Sequence, residues 1–264
     1  MSVLEAIVLG IVQGLTEFLP VSSSGHLVLG QALLGIRLPG VTFEVTVHLA
    51  TLCAVLWVYR GRVGSLASGA LRGERASWSY IGLLVLASLP AGIVGVLAKD
   101  WFEAAFGRPV FAACLLIVTG FIVYSVRLTS ARAEDPTPSA GQSVWIGFAQ
   151  AAAILPGISR SGATVAMGTW RGVDAVAVAE FSFLMSVPAI LGAGLLQLRD
   201  AGGAGGPGAA VLGAGFAAAL VAGVMAIRLF VRMLQTGAFY RFAWYCWAAG
   251  SAYLVAAAFQ PGLR

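Results

Sequence analysis

The chain reads as an all-α polytopic membrane protein: six transmembrane helices plus two re-entrant helical hairpins, arranged as an inverted-topology repeat. Three observations lead there. The 264 residues are 59% apolar, with a mean hydropathy of +0.90. Only 10% are charged, against about 25% in an ordinary soluble domain. Two sixteen-residue stretches also look like copies of each other, Gly10–Gly25 (GIVQGLTEFLPVSSSG) and Gly147–Gly162 (GFAQAAAILPGISRSG).

Each element follows in order. Residues 2–36 are apolar but interrupted in the middle by Pro20, three serines and Gly25. They are too broken for one clean span of about 20 residues and long enough only for two short half-helices. A re-entrant hairpin fits, because irregular backbone at membrane depth is tolerated only when buried in protein or lining a wet cavity. The N-terminus does not read as a cleavable signal, since it lacks a basic start and Glu5 interrupts it. Spans follow at 42–59, 78–98 and 108–127, with a polar connection at Arg60–Ser77. A second connection, Thr129–Gly141, leads to the second broken region, 143–170. Spans at 175–197, 208–231 and 241–259 complete the chain, with AGGAGGPG (201–208) as a flexible turn.

A hairpin enters and leaves on one side, and each is followed by three spans, an odd number. The second half is therefore expected to run inverted relative to the first. Residues 1–264 form a single membrane domain, with repeat halves 1–128 and 142–264 and a cytoplasmic linker 129–141. The acidic positions echo the repeat: Glu44 follows Gly25 by 19 residues, and Glu180 follows Gly162 by 18. Inverted repeats place their site near the bilayer midplane, between the halves.

Of the 16 basic residues, five (Arg37, Lys99, Arg108, Arg199, Arg264) fall on the side that holds the ends of the first hairpin. Ten fall on the other: Arg60, Arg62, Arg72, Arg75, Arg127, Arg132, Arg171, Arg228, Arg232 and Arg241. The richer side is the cytoplasmic one. Both termini and the mouth of the first hairpin then face outward. Loop arginines account for the net charge of +5 and the pI of about 9.5, so nucleic acid is not an expected partner. Cys53, Cys114 and Cys246 lie in apolar runs without metal-like spacing and read as buried free thiols.

Ionisable residues inside a membrane are costly and mark function. Here they are Glu17, His26, Glu44, His48, Arg160 and Glu180. In the second copy, the glycines of PGISRSGAT (156–164) let the backbone turn and expose N–H groups. Ser159, Ser161 and Thr164 add hydroxyls, a helix restarting near Gly162 adds its positive end, and Arg160 adds a planar fork. Everything there donates, so the expected guest is an anion. The bland alternative is a structural break with Arg160 paired to Glu17.

The first copy is complementary. Gln13 and Glu17 are four apart and share a helix face. Glu17 can ligand a hard cation, Mg²⁺ or Ca²⁺, or act as a general base. Ser23 and His26 are three apart, the minimal arrangement for an activated nucleophile. His26 could also attack phosphorus itself or protonate the leaving group. The bland readings are helix capping for Ser22, Ser23 or Ser24 and a hydrogen-bonded structural role for His26. His48 reads as supporting or structural, Glu44 as a weak site residue, and Glu180 as a packing partner tied to Arg171. Gln150 mirrors Gln13, but Ile154 stands where Glu17 would be.

The segments QGLTEFLPVSSSGH (13–26), TFEV (42–45) and LPGISRSGAT (155–164) closely resemble the bacitracin-resistance type of undecaprenyl-diphosphate phosphatase. The resemblance runs from end to end. It implies a bacterial inner-membrane enzyme, its site open to the outer side, that converts the C55 isoprenoid diphosphate into the monophosphate carrier for cell-wall synthesis. Glu17 would be the essential acid, Ser23 and His26 the catalytic Ser and His, and Ser159, Arg160 and Thr164 the phosphate-binding residues, with Gly157, Ser161 and Gln13 beside them. Many members have Glu at the place of Gln13, so a metal here would lean on Glu17. The expected partners are the polyprenyl diphosphate lipid and the bilayer, and two copies could pair as a homodimer. The rival classes are a secondary transporter or lipid flippase for an anionic substrate, and an ion channel lined by Glu17 and His26.

Overall fold

The computed structural model describes residues 1–34, 41–129, 134–200 and 207–260, with the side chains of 34, 41, 193 and 195–200 outside that description. Arg37, Arg132, Arg264, the Arg199 side chain and most of the 201–208 turn therefore lie outside the described residues. Among the described residues there is no strand, only an isolated bridge between Asp135 and Val173.

Helix α1 (Val3–Phe18) starts on a capping box, in which the Ser2 hydroxyl accepts from Glu5 N–H and the Glu5 carboxylate accepts from Ser2 N–H. It stops before Leu19-Pro20, and α2 (Ser23–Leu34) begins after a four-residue break. Next come α3 (Val41–Val58) and α4 (Arg60–Leu71), which lies at 77° to α3. The stretch expected as a plain connection is thus a helix, and it seats Leu66 and Gly69 inside. Then follow α5 (Arg75–Leu97), a short α6 (Lys99–Phe106) and α7 (Pro109–Thr129).

The second copy repeats the plan of the first. Helix α8 (Ala140–Ala152) also starts on a capping box, here Ser139 with Gln142. Its break is longer, Ala153–Ser159, before α9 (Arg160–Trp170). Helices α10 (Ala175–Asp200), α11 (Ala209–Gln235) and α12 (Phe242–Phe259) follow.

Among the described residues, five helices are long and apolar enough to cross a membrane, or six when α3 is counted with its bent partner α4. Their outer faces expose Leu89, Ile93, Phe121, Val221, Met225 and Trp244. Large contiguous apolar surface of this kind suits lipid rather than water. The protein is a multi-pass membrane protein.

Much of the packing repeats when the two halves are exchanged, although α7 packs on both α2 and α9. Helix α1 packs on α11 as α8 packs on α5, α3 and α10 make the same exchange, and α3 meets α10 as α7 meets α12. Small residues allow the closest approaches. Gly14 leaves no room for a Cβ against Ala219 O, Ala222 and Gly223 N of α11, and Gly147 sits against Ala87 and Pro90 of α5. Below the two breaks, Phe18, Phe183 and Phe230 pack edge to face, with centroids 5.5 Å and 5.0 Å apart.

Candidate active site between two helix breaks

The two breaks are bound to each other. Ser22 caps α2 with its Oγ accepting from Gly25 N–H at 3.2 Å, and the same oxygen accepts from Gly157 N–H of the other break at 3.1 Å. Ser22 adopts φ +64°, a left-handed conformation unusual for a serine. Gly157 has φ +102° and sits against the Ala112 carbonyl, where a side chain would not fit. Thr119 of α7 braces the second break by donating to Gly157 O at 2.7 Å and accepting from Ser159 N–H at 3.1 Å.

This arrangement points the N-termini of α2 and α9 into one place, so two positive helix ends meet the side chains there. Arg160 Nη2 lies 2.7 Å from Glu17 Oε1, and the two side chains are only 16% and 9% exposed. Glu17 Oε2 accepts from Ser23 Oγ at 3.0 Å and from Gln13 Nε2 at 3.1 Å. The Nη1 of Arg160 is buried and has no protein partner. A buried charged donor left unpaired is costly, so Nη1 is the arm of Arg160 open to an acceptor.

The other expected residues are placed differently. Ser159 caps α9, with its Oγ accepting from Gly162 N–H at 3.2 Å and lying 3.2 Å from Ser161 Oγ. Thr164 is fully buried, donating to Arg160 O at 2.7 Å and lying 2.6 Å from Ser182 Oγ of α10. In this structure these hydroxyls hold the cradle's frame. His26 does not turn to Ser23. Its Nδ1 lies 2.9 Å from Ser22 O and its Nε2 2.7 Å from the hydroxyl of Tyr245 on α12.

His48 Nδ1 is tied to Glu44 O at 2.8 Å, and its Nε2 reaches to 3.9 Å from Glu17 Oε2. It is nearer the site than its distant sequence position suggests. Glu180 pairs with Arg62 Nε at 3.0 Å, not with Arg171, whose guanidinium lies over Trp145. Cys53 and Cys114 are exposed on the outer faces, and only Cys246 is buried. Tyr245 and Thr119 were not singled out by the sequence, because neither has a local partner that would mark it.

Among the described residues no three His, Cys, Asp or Glu side chains cluster as a metal site. Around Glu17, the Ser23 Oγ is an oxygen neighbour, whereas Gln13 Nε2 and Arg160 Nη2 are nitrogen donors, so Glu17 is the carboxylate that could contribute to a hard-cation shell.

The sequence matches the profile of the family described as bacitracin resistance protein BacA over residues 6–252. The chain belongs to this family. Its relatives include an undecaprenyl-diphosphatase of Methanobrevibacter smithii, 40% identical over 95% of this chain and 96% of the relative. An undecaprenyl-diphosphatase of Desulfosudis oleivorans is 42% identical over 95% and 97%, and one of Bacteroides thetaiotaomicron is 39% identical over 97% and 99%.

Proposed function

We propose that this chain hydrolyses undecaprenyl diphosphate to undecaprenyl phosphate and phosphate, recycling the lipid carrier of cell-wall synthesis and conferring bacitracin resistance. The observation that carries this reading is the Glu17–Arg160 pair, which joins the two breaks with Ser23 on one side and a buried, unpartnered Nη1 on the other. The names of the family and of its relatives support the same substrate.

The chemistry follows from the contacts. Arg160 keeps Glu17 with Nη2 and takes a terminal phosphate oxygen with Nη1, while the α2 and α9 N-termini stabilise the remaining charge. The Ser23 hydroxyl gives its proton to Glu17 as its oxygen attacks the terminal phosphorus. The phosphorus–oxygen anhydride bond breaks and undecaprenyl phosphate leaves. The leaving undecaprenyl phosphate carries away the proton held by Glu17. Ionised again, Glu17 deprotonates a water that cleaves the phosphoserine, and the proton passes to Ser23 Oγ as phosphate is released. Phosphoryl transfer leaves the protein mainly positioning and charge stabilisation to do, so Arg160 carries the largest share. Glu17 would hold a divalent cation, Mg²⁺ or Ca²⁺, together with the phosphate oxygens, and the ion would neutralise the diphosphate.

The exchange symmetry of the packing supports an inverted repeat of halves 1–128 and 142–264. With the arginine bias, it supports a site near the midplane of the bacterial inner membrane, opening outward. The test is direct: purified protein in detergent, undecaprenyl diphosphate, and Mg²⁺ or Ca²⁺. Phosphate release is expected. Absence of release under all conditions would sink the reading.

A further inference from the structure

The His26 ring is held at both nitrogens. A carbonyl oxygen can only accept, so the 2.9 Å contact with Ser22 O requires the proton on Nδ1. In the neutral ring Nε2 is then a bare lone pair, and the Tyr245 hydroxyl 2.7 Å away donates to it. The two rings also stack, 9° from parallel with centroids 5.5 Å apart. Ser22, whose carbonyl receives the other end, is the left-handed residue whose hydroxyl joins the two breaks and which precedes Ser23. Beside it, the Cys246 thiol reaches Pro20 O at 3.4 Å, a second anchor from α12 to the same turn.

We infer that Tyr245 and His26 are positioning residues: a brace from α12 that holds the Ser22 turn and so aims Ser23 at Glu17. Tyr245 fixes the His26 tautomer and occupies the nitrogen that would otherwise attack phosphorus. In this role His26 acts through Ser22 O and exchanges no proton with substrate. The kinetic consequences rest on the phosphatase reading above, and the tautomer itself does not.

Substitution separates the brace from a chemical role. An Asn amide nitrogen can stand where Nδ1 stands, and a Gln amide nitrogen where Nε2 stands. As a brace, His26→Asn keeps kcat within about tenfold of the parent with KM unchanged, whereas His26→Gln falls clearly below it. A nucleophile or proton carrier would instead lose about 10²–10⁴-fold in both variants. Tyr245→Phe lowers kcat by about three- to tenfold, but adds nothing in the His26→Asn background, where no Nε2 remains to be bonded. Equal loss in the Asn and Gln variants, or additive loss in the double variant, overturns the brace.

A spectroscopic arm needs no activity. The chain has two histidines, so nitrogen NMR of histidine-labelled protein resolves each ring. The expected His26 signature is a protonated Nδ1 and a hydrogen-bonded bare Nε2, which moves toward the free position in Tyr245→Phe. A protonated Nε2 in the neutral ring, or no response to Tyr245→Phe, overturns the inference even if His26→Asn fails to fold. If the parent releases no phosphate while the spectrum is as expected, the phosphatase reading fails and the brace stands.

Discussion

The two breaks share a frame and differ in chemistry. Each follows a helix begun by a Ser capping box, each passes a Leu-Pro, and each restarts a helix whose N-terminus faces the other. The first break takes four residues and turns on a left-handed serine, and the second takes seven and turns on a glycine. The serine accepts local strain of about 1–2 kcal/mol and offsets it with a hydroxyl that binds both breaks. The glycine has no strain to offset, but it is crowded by α7. One copy brings a carboxylate and a hydroxyl that can react, and the other an arginine and spent hydroxyls. The shared frame joins the two breaks, and their different side chains supply the two sides of the candidate site.

The comparison is tested most strongly at the pair that joins the copies. Glu17→Gln keeps the shape, removes the proton acceptor of Ser23 and unpairs Arg160. Turnover should fall by about 10³-fold or more, read as phosphate release at saturating lipid. Arg160→Lys keeps the charge and loses the planar fork that reaches Glu17 and a second acceptor at once, for a loss of about 10²–10³-fold. Near-parent activity in either variant would mean that the two copies do not form one site.

The frame itself is tested next. Gly157→Ala combines a left-handed backbone with a Cβ pressed on Ala112 O and 2.8 Å from the Leu115 side chain. It should cost about 3 kcal/mol or more, seen as a lower melting temperature in detergent. At Ser22 the order of variants matters. Ser22→Ala keeps the strain and loses the hydroxyl, whereas Ser22→Gly loses the hydroxyl and relieves the strain. Alanine should therefore be the less stable by about 1 kcal/mol. If the two melt alike, the left-handed turn is not where the first copy stores its strain.

Much of this was legible in the sequence because it rests on composition and local pattern. The six expected spans coincide with α3, α5, α7, α10, α11 and α12, since long apolar runs leave a helix no alternative. The complementarity of Glu17 and Arg160 could be read from an acid in one copy and a donor-only loop in the other. What escaped depends on tertiary neighbours. Tyr245 is 219 residues from His26, on a helix whose sequence is aromatic throughout its first turns. Helix α4 escaped because its arginines and glycines read as a loop, whereas Leu66 and Gly69 find a surface on which to pack. Glu180 found Arg62 across α4 and α10 rather than Arg171 nearby in sequence, because only packing brings those helices together.

The smallest expected effect separates the copies most finely. Gln13 and Gln150 occupy the same place in the two stretches and are equally buried, at 4% exposure. Gln13 donates to Glu17, but neither amide atom of Gln150 has a partner, and Ser143 Oγ on the same helix is also unpaired. A buried amide bonded to nothing costs more than an apolar side chain of similar size, and replacing it can be neutral or stabilising. Gln150→Leu should therefore hold or raise the melting temperature and keep turnover within about threefold, whereas Gln13→Leu should lose about tenfold by freeing Glu17 from one of its donors. If Gln150→Leu instead loses activity without losing stability, its idle amide faces the substrate, and the second copy contributes more than the anion cradle.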